Sequence, residues 1–191
     1  MSRKVISFDC DGVITGDGFV PPENRNNTFY CKMEPQEDAI PSIHWLSTMY
    51  DIFIISQRSH KDSNLGLRAW LHWVLGLELD TIAGVITGND LICTPETYID
   101  KGAIVKSIGC VAHFDDNPHH LDGMPVGILF PSSIPGSQEA INRYPTVQGW
   151  PGVREFLTTP GMILHSAYGG PSIVSPAEVH IPDPAKEIMI Q

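Results

Sequence analysis

The feature that most constrains this chain is the alternation of short, β-prone apolar runs with stretches of helical period. Lys4-Val5-Ile6-Ser7-Phe8, Ile52 to Ile55, Ile82 to Ile86, Val111 to Phe114 and Val126 to Phe130 read as buried strands. Between them Pro35 to Met49, Asn64 to Leu75 and Lys101 to Ile108 read as helices. In the second of these, Leu67, Trp70, Leu71 and Val74 recur at spacings of three and four. Strands separated by helices pair in parallel, because a parallel pair needs a crossover, and the crossovers cover both faces of the sheet. The expectation is an α/β, three-layer, Rossmann-like domain around a central parallel sheet.

The chain of 191 residues is long enough to bury one such core without disulfides, so residues 1–159 are expected to form it. From residue 160 the pattern dissolves. Pro171, Pro176, Pro182 and Pro184 forbid a long helix, yet Ile173-Val174 and Ile188-Met189-Ile190 are too apolar for a free tail. Residues 160–191 therefore read as an extended C-terminal arm that packs on the domain or on a second copy, making a homo-oligomer. The stretch Thr15 to Glu34, rich in Gly, Pro and Asn, reads as a loop or hairpin past the first strand that could serve as a flap. Cys10, Cys31, Cys93 and Cys110 form no C-x-x-C pair, and no basic-apolar leader precedes the first strand, which points to free thiols and a cytoplasmic address. No apolar run approaches a membrane span. With 12 Lys+Arg against 22 Asp+Glu, the net charge of −10 repels polynucleotides and anionic membranes, so an anionic ligand must be held by local groups.

In an open parallel sheet ligands gather at the carboxyl ends of the strands. Asp9 and Asp11 follow the first strand, Ser56 the second, Asp115 and Asp116 the fourth, and Lys101 opens a helix. Two aspartates one residue apart can supply a nucleophile and a proton carrier, and Gly12 lets the chain turn at once. Clustering Asp9 with Asp115 and Asp116 would be strongly repulsive without a cation, and an all-oxygen set suits Mg²⁺. Ser56 and Lys101 could neutralise phosphate oxygens. Taken singly, each of these residues has an ordinary structural job as a cap, turn former or surface charge. Their joint placement at successive strand ends is what favours chemistry.

These residues resemble the motifs of the haloacid dehalogenase-like (HAD) superfamily of phosphohydrolases. The hydrophobic strand and D-x-D-G are Val5 to Gly12, the strand ending in Ser is Ile52 to Ser56, the Lys is in Asp100-Lys101-Gly102-Ala103, and the paired acids end Val111 to Asp116. The resemblance implies that Asp9 attacks phosphorus to give an aspartyl-phosphate, and that Asp11 protonates the leaving alkoxide and then activates water. It implies Mg²⁺ on Asp9, the Asp11 carbonyl, Asp115 and Asp116, with Ser56 and Lys101 on the phosphoryl group. Only 44 residues separate Asp11 from Ser56, and residues 76–100 are also cramped, so no separate cap domain fits. The reading is an Mg²⁺-dependent phosphomonoesterase for a small, nucleotide-like phosphate ester, with a polynucleotide-end or phosphoprotein phosphatase as the alternative. A non-catalytic assembly protein is the reading from a different class.

Other residues receive plainer expectations. His113 falls in the fourth strand and His119 and His120 in a loop, without a ligand role. Trp45, Trp70 and Trp73 read as core or core-edge residues, and Arg58 and Lys61 as surface charges or a grip on a second phosphate. Gly84, Gly88 and Gly109 form no phosphate-loop pattern.

Overall fold

A computed structural model describes residues 3–16, 33–57, 67–74, 76–77, 81–87, 100–134 and 136–162. Its centre is a parallel sheet of five strands: β1 (Lys4–Phe8), β2 (Tyr50–Ser56), β3 (Gly84–Thr87), β4 (Cys110–Asp115) and β5 (Gly127–Leu129), in the spatial order β3-β2-β1-β4-β5. All five lie where the apolar runs predict them, and the architecture is the expected α/β, Rossmann-like one. The described helices are α1 (Ala39–Ser47), α2 (Lys101–Ser107), α3 (Pro118–Leu121) and α4 (Gly149–Thr158), with a π-helical turn at Trp70–Val74.

β1 is central, paired to β2 on one side and β4 on the other. The strand order reverses there, which opens a crevice at the carboxyl ends of β1 and β4. The register opposes Phe8 to Phe114 and Ser7 to His113. Because side chains alternate between faces, one face of this pair is aromatic and the other polar. On the aromatic face Phe8 and Phe114 stack at 5.1 Å, Trp150 of α4 lies 4.9 Å from Phe8, and Phe156 meets Phe114 edge-on at 6.0 Å. Such contacts contribute about 0.5–1.5 kcal/mol each beyond the area they bury.

Helix α4 is absent from the expectation above. Gly149, Pro151 and Gly152 look like breakers, but proline in a first turn loses no hydrogen bond the helix would have made. Its apolar residues Trp150, Val153, Phe156 and Leu157 are all buried. Trp45 projects outward at 43% exposure instead of joining the core, whereas Trp70 is buried. Helix α1 begins at Ala39 and not Pro35, because Asp38 takes a left-handed φ of 63° and Pro35 bridges to Thr15. Residues 17–32 of the expected flap, Arg58, Lys61, Cys31, Cys93, the Trp73 side chain and the expected arm beyond residue 162 lie outside the described residues. Cys10 and Cys110 are buried and form no disulfide among the described residues. Among the described residues no helix is long and apolar enough to cross a membrane.

Candidate active site

β1 ends and the chain turns at Asp9-Cys10-Asp11-Gly12. The Asp9 N–H donates to the Phe114 carbonyl at 2.8 Å, tying the turn to β4. The Cys10 carbonyl then accepts the Ile14 and Thr15 N–H groups at 2.9 and 3.0 Å, and Gly12 adopts φ +80°. Two distant elements hold this turn: Gln36 donates to the Gly12 carbonyl at 2.9 Å, and the Trp150 indole donates to the Val13 carbonyl at 2.9 Å. The helix hidden from sequence reading thus braces the turn that carries two of the predicted residues.

Three of the predicted residues meet directly. The Lys101 ammonium lies 3.0 Å from Asp9 Oδ1 and 2.6 Å from Asp115 Oδ2, and all three side chains are buried. Lys101 opens α2, which Asp100 caps by accepting the Ala103 N–H at 2.9 Å. Asp9 Oδ1 also accepts the Cys10 N–H at 2.8 Å. Asp116 is buried beside them, accepting from the Ser132 hydroxyl at 2.7 Å. Asp11 is half-buried in the turn, and Ser56 is buried at the carboxyl end of β2.

The electrostatics follow from burial and crowding. Burial, resisted by Lys101 and reinforced by Asp115 and Asp11, pushes the Asp9 carboxyl up to about 6. Burial, then Asp9 and Asp115, pushes Asp116 up to about 8. Asp115 moves the other way: burial opposes its charge, but Lys101 and the hydrogen bonds from His113 and His120 hold it well below the ordinary carboxylate range. For Lys101 burial is likewise overcome by Asp115 and Asp9, which hold the ammonium charged. Two buried carboxylates, Asp9 and Asp115, share one buried ammonium, and the crowding favours the protonated form of Asp116 beside them.

Two histidines join the site that sequence reading left out of it. On the polar face of β4, His113 Nε2 lies 3.2 Å from Asp115 Oδ2 and Nδ1 lies 2.9 Å from Ser7 Oγ. Burial pushes this imidazole below its ordinary value, so it is neutral; it donates from Nε2 to the carboxylate and accepts from Ser7 at Nδ1. His119 and His120 sit on α3 and not in a loop, and His120 Nδ1 lies 3.1 and 3.2 Å from the two Asp115 oxygens. The signal for His113 was the period of two, which puts it on the same strand face as Asp115. For His120 there was none without the α3 turn.

Gly12 has no room for a side chain. A Cβ there would lie 1.9 Å from Asp116 Oδ2 and 2.5 Å from its carboxyl carbon, in a backbone conformation that already disfavours L residues. Gly12→Ala is expected to destabilise the fold by at least about 2 kcal/mol, from the left-handed strain and the displaced carboxylate together. Chemical denaturation measures this, and stability equal to the parent would show that Asp116 moves aside freely.

No family model matches the sequence, and no curated protein does. Among solved structures, a HAD-superfamily hydrolase of subfamily IA from Geobacter sulfurreducens aligns at a TM-score of 0.51, with 12% identity, over 82% of this chain and 98% of that one. The chain has the HAD-like fold. The HAD domain of effector protein Lem4 from Legionella pneumophila aligns at 0.47 with 15% identity, over 74% of this chain and 93% of that one. The 3-deoxy-D-manno-octulosonate 8-phosphate phosphatase of Moraxella catarrhalis, in complex with magnesium and phosphate ions, aligns at 0.43 with 19% identity, over 80% and 82%. In this HAD-like sheet the crevice at the strand reversal is where Asp9, Lys101 and Asp115 meet.

Proposed function

We propose that the protein is a phosphomonoester hydrolase that works through an aspartyl-phosphate on Asp9 and needs a divalent cation, Mg²⁺ in the first instance. The observation that carries this reading is the convergence of Asp9 and Asp115, from adjacent central strands, on one buried lysine. The donors fit the ion: the carboxylates of Asp9 and Asp115, with Asp116 beside them, are hard oxygen ligands, and a cation would relieve the crowding that raises Asp9 and Asp116. When bound, the ion would neutralise charge on the transferring phosphoryl oxygens.

The chain's own residues account for the rest. Asp9 Oδ1 is anchored by the Cys10 N–H and by Lys101, which leaves Oδ2 to attack phosphorus as the bond to the leaving alkoxide breaks. Asp11, half-buried where solvent reaches it, gives the alkoxide its proton and then takes one from the water that hydrolyses the aspartyl-phosphate. Lys101 and the Ser56 hydroxyl would hold phosphoryl oxygens. The net charge of −10 disfavours a polynucleotide end, and the reading is a small phosphate ester, a nucleotide-like one among the candidates.

The test is hydrolysis of a generic aryl phosphate by the purified protein. Activity should require a divalent ion, disappear in excess chelator and return on adding Mg²⁺. Turnover that is indifferent to chelator would overturn the reading.

A further inference from the structure

Asp115 is more fully engaged than a carboxylate awaiting an ion needs to be. Its Oδ2 accepts from Lys101 at 2.6 Å and from His113 at 3.2 Å, and its Oδ1 accepts the Asn117 N–H at 2.9 Å. Those three donors take three of the roughly four acceptor positions that the two oxygens of a carboxylate offer. His120 comes as a fourth, and its geometry differs. Nδ1 sits almost evenly between the two oxygens, at 3.1 and 3.2 Å, instead of on one lone pair, and its side chain is 17% exposed where Asp115 is at 0%. It is the more solvent-exposed member of the pair.

One ligand atom from each of Asp9, Asp115 and His120 lies within 4.8 Å of the other two. Atoms about 2.1 Å from a common ion are separated by roughly 3–4 Å, so this spacing needs little closing to coordinate one ion. The three residues also come from three elements: the turn after β1, the end of β4 and helix α3. Asn117 Oδ1 accepts the His119 N–H, which turns its amide donor toward His120 Nε2 at 3.4 Å, so Nδ1 carries the ring proton toward Asp115. Coordination through Nδ1 would move that proton to Nε2 and require the Asn117 amide, which faces it at 3.4 Å, to turn away.

We propose that His120 is a nitrogen ligand of the site, so that the ion held with Asp9 and Asp115 is drawn from the divalent transition metals, Co²⁺ and Mn²⁺, in preference to Mg²⁺. Imidazole adds little to a hard ion that favours oxygen and much to metals that take mixed nitrogen and oxygen sets. The inference rests on the reading that a divalent ion sits between Asp9 and Asp115, and its test separates the two.

The ions themselves are the probes, added to chelator-treated full-length protein, with binding read by calorimetry and by the pulsed EPR signal of bound Mn²⁺. The parent should show nitrogen modulation from a directly bound imidazole. His120→Ala should lose that modulation and weaken Mn²⁺ and Co²⁺ binding by about tenfold or more while changing Mg²⁺ binding far less. His119→Ala, whose side chain is 88% exposed on the same helix, should change neither. Should His120→Ala fold poorly, His120→Gln and the parent's EPR signal still decide the matter. Mn²⁺ that binds without nitrogen modulation, or equal losses for Mn²⁺ and Mg²⁺ in the variant, overturns the role of His120 and leaves the ion between Asp9 and Asp115 intact. No binding of any of the three ions overturns both.

Discussion

Asp9→Asn is expected to lower kcat/KM for an aryl phosphate by a factor on the order of 10⁴, while making the ion-free protein more stable at pH 8 than the parent. Asparagine keeps the shape of the side chain and its carbonyl oxygen can still accept from the Cys10 N–H and from Lys101, which Asp9 Oδ1 contacts at 2.8 and 3.0 Å. What it loses is the nucleophile, since an amide does not form the aspartyl-phosphate. The gain in stability comes from charge. Burial first, then repulsion from Asp115 and Asp11, raises Asp9 to about 6 although Lys101 opposes the shift. A carboxyl raised above its unfolded value binds more protons folded than unfolded across that interval. Its contribution to stability therefore falls as pH rises from about 4 to about 6 and stays lost above. Asparagine never ionises, so the advantage of the variant should be absent near pH 4 and fully present by pH 8. Loss of activity with unchanged or improved thermal stability separates a chemical role from a folding role. Activity within tenfold of the parent would remove Asp9 as nucleophile.

The same two residues show how far the chain can be read without coordinates. Asp9 and Asp115 were legible because each ends an apolar β-branched run, and in a parallel sheet strand ends are where the crevice lies. Lys101 was legible only through its order between β3 and β4, and nothing in its neighbours said that it would be buried between the two carboxylates. The five strands were legible for the same reason as the aspartates: runs such as Ile52 to Ile55 have few other fates in a chain this polar. Helix α4 was not, because its first turn holds Gly149, Pro151 and Gly152 and its apolar face shows only once Trp150 is seen against Phe8. Trp45 misled in the opposite sense, since helical spacing puts a residue on a face without saying which face meets the sheet. His113 and His120 were set aside as ordinary histidines. Their contacts with Asp115 depend on the β1–β4 register and on the turn into α3, and both are tertiary facts.

Lys101→Met should be the most destabilising single change at the site, by about 3–5 kcal/mol at neutral pH in the absence of divalent ions. Methionine fills similar volume, so the cost is electrostatic. Asp115, wholly buried, loses its 2.6 Å ammonium, and Asp9 loses the cation 3.0 Å away that opposes the rise in its pKa. Lys101 itself is held charged far above neutrality, so its own titration adds no slope between pH 5 and 8. Removing it raises the folded-state values of both aspartates, because it lowers each in the parent. The folded variant therefore holds protons that its unfolded chain has released, and its stability deficit should grow as pH rises from 5 to 8. Two further outcomes tie the prediction to the proposed ion. Added Mn²⁺ or Mg²⁺ should recover more stability in Lys101→Met than in the parent, since a divalent ion replaces the missing charge between the same two carboxylates. Lys101→Arg should retain the charge yet lose part of the stability, because a planar guanidinium does not fit a site built around a point cation. Denaturant titrations of the three proteins at pH 5 and pH 8, with and without ion, read all of this directly. A deficit that is constant with pH would mean that packing, and not the pairing of Lys101 with Asp9 and Asp115, accounts for the loss.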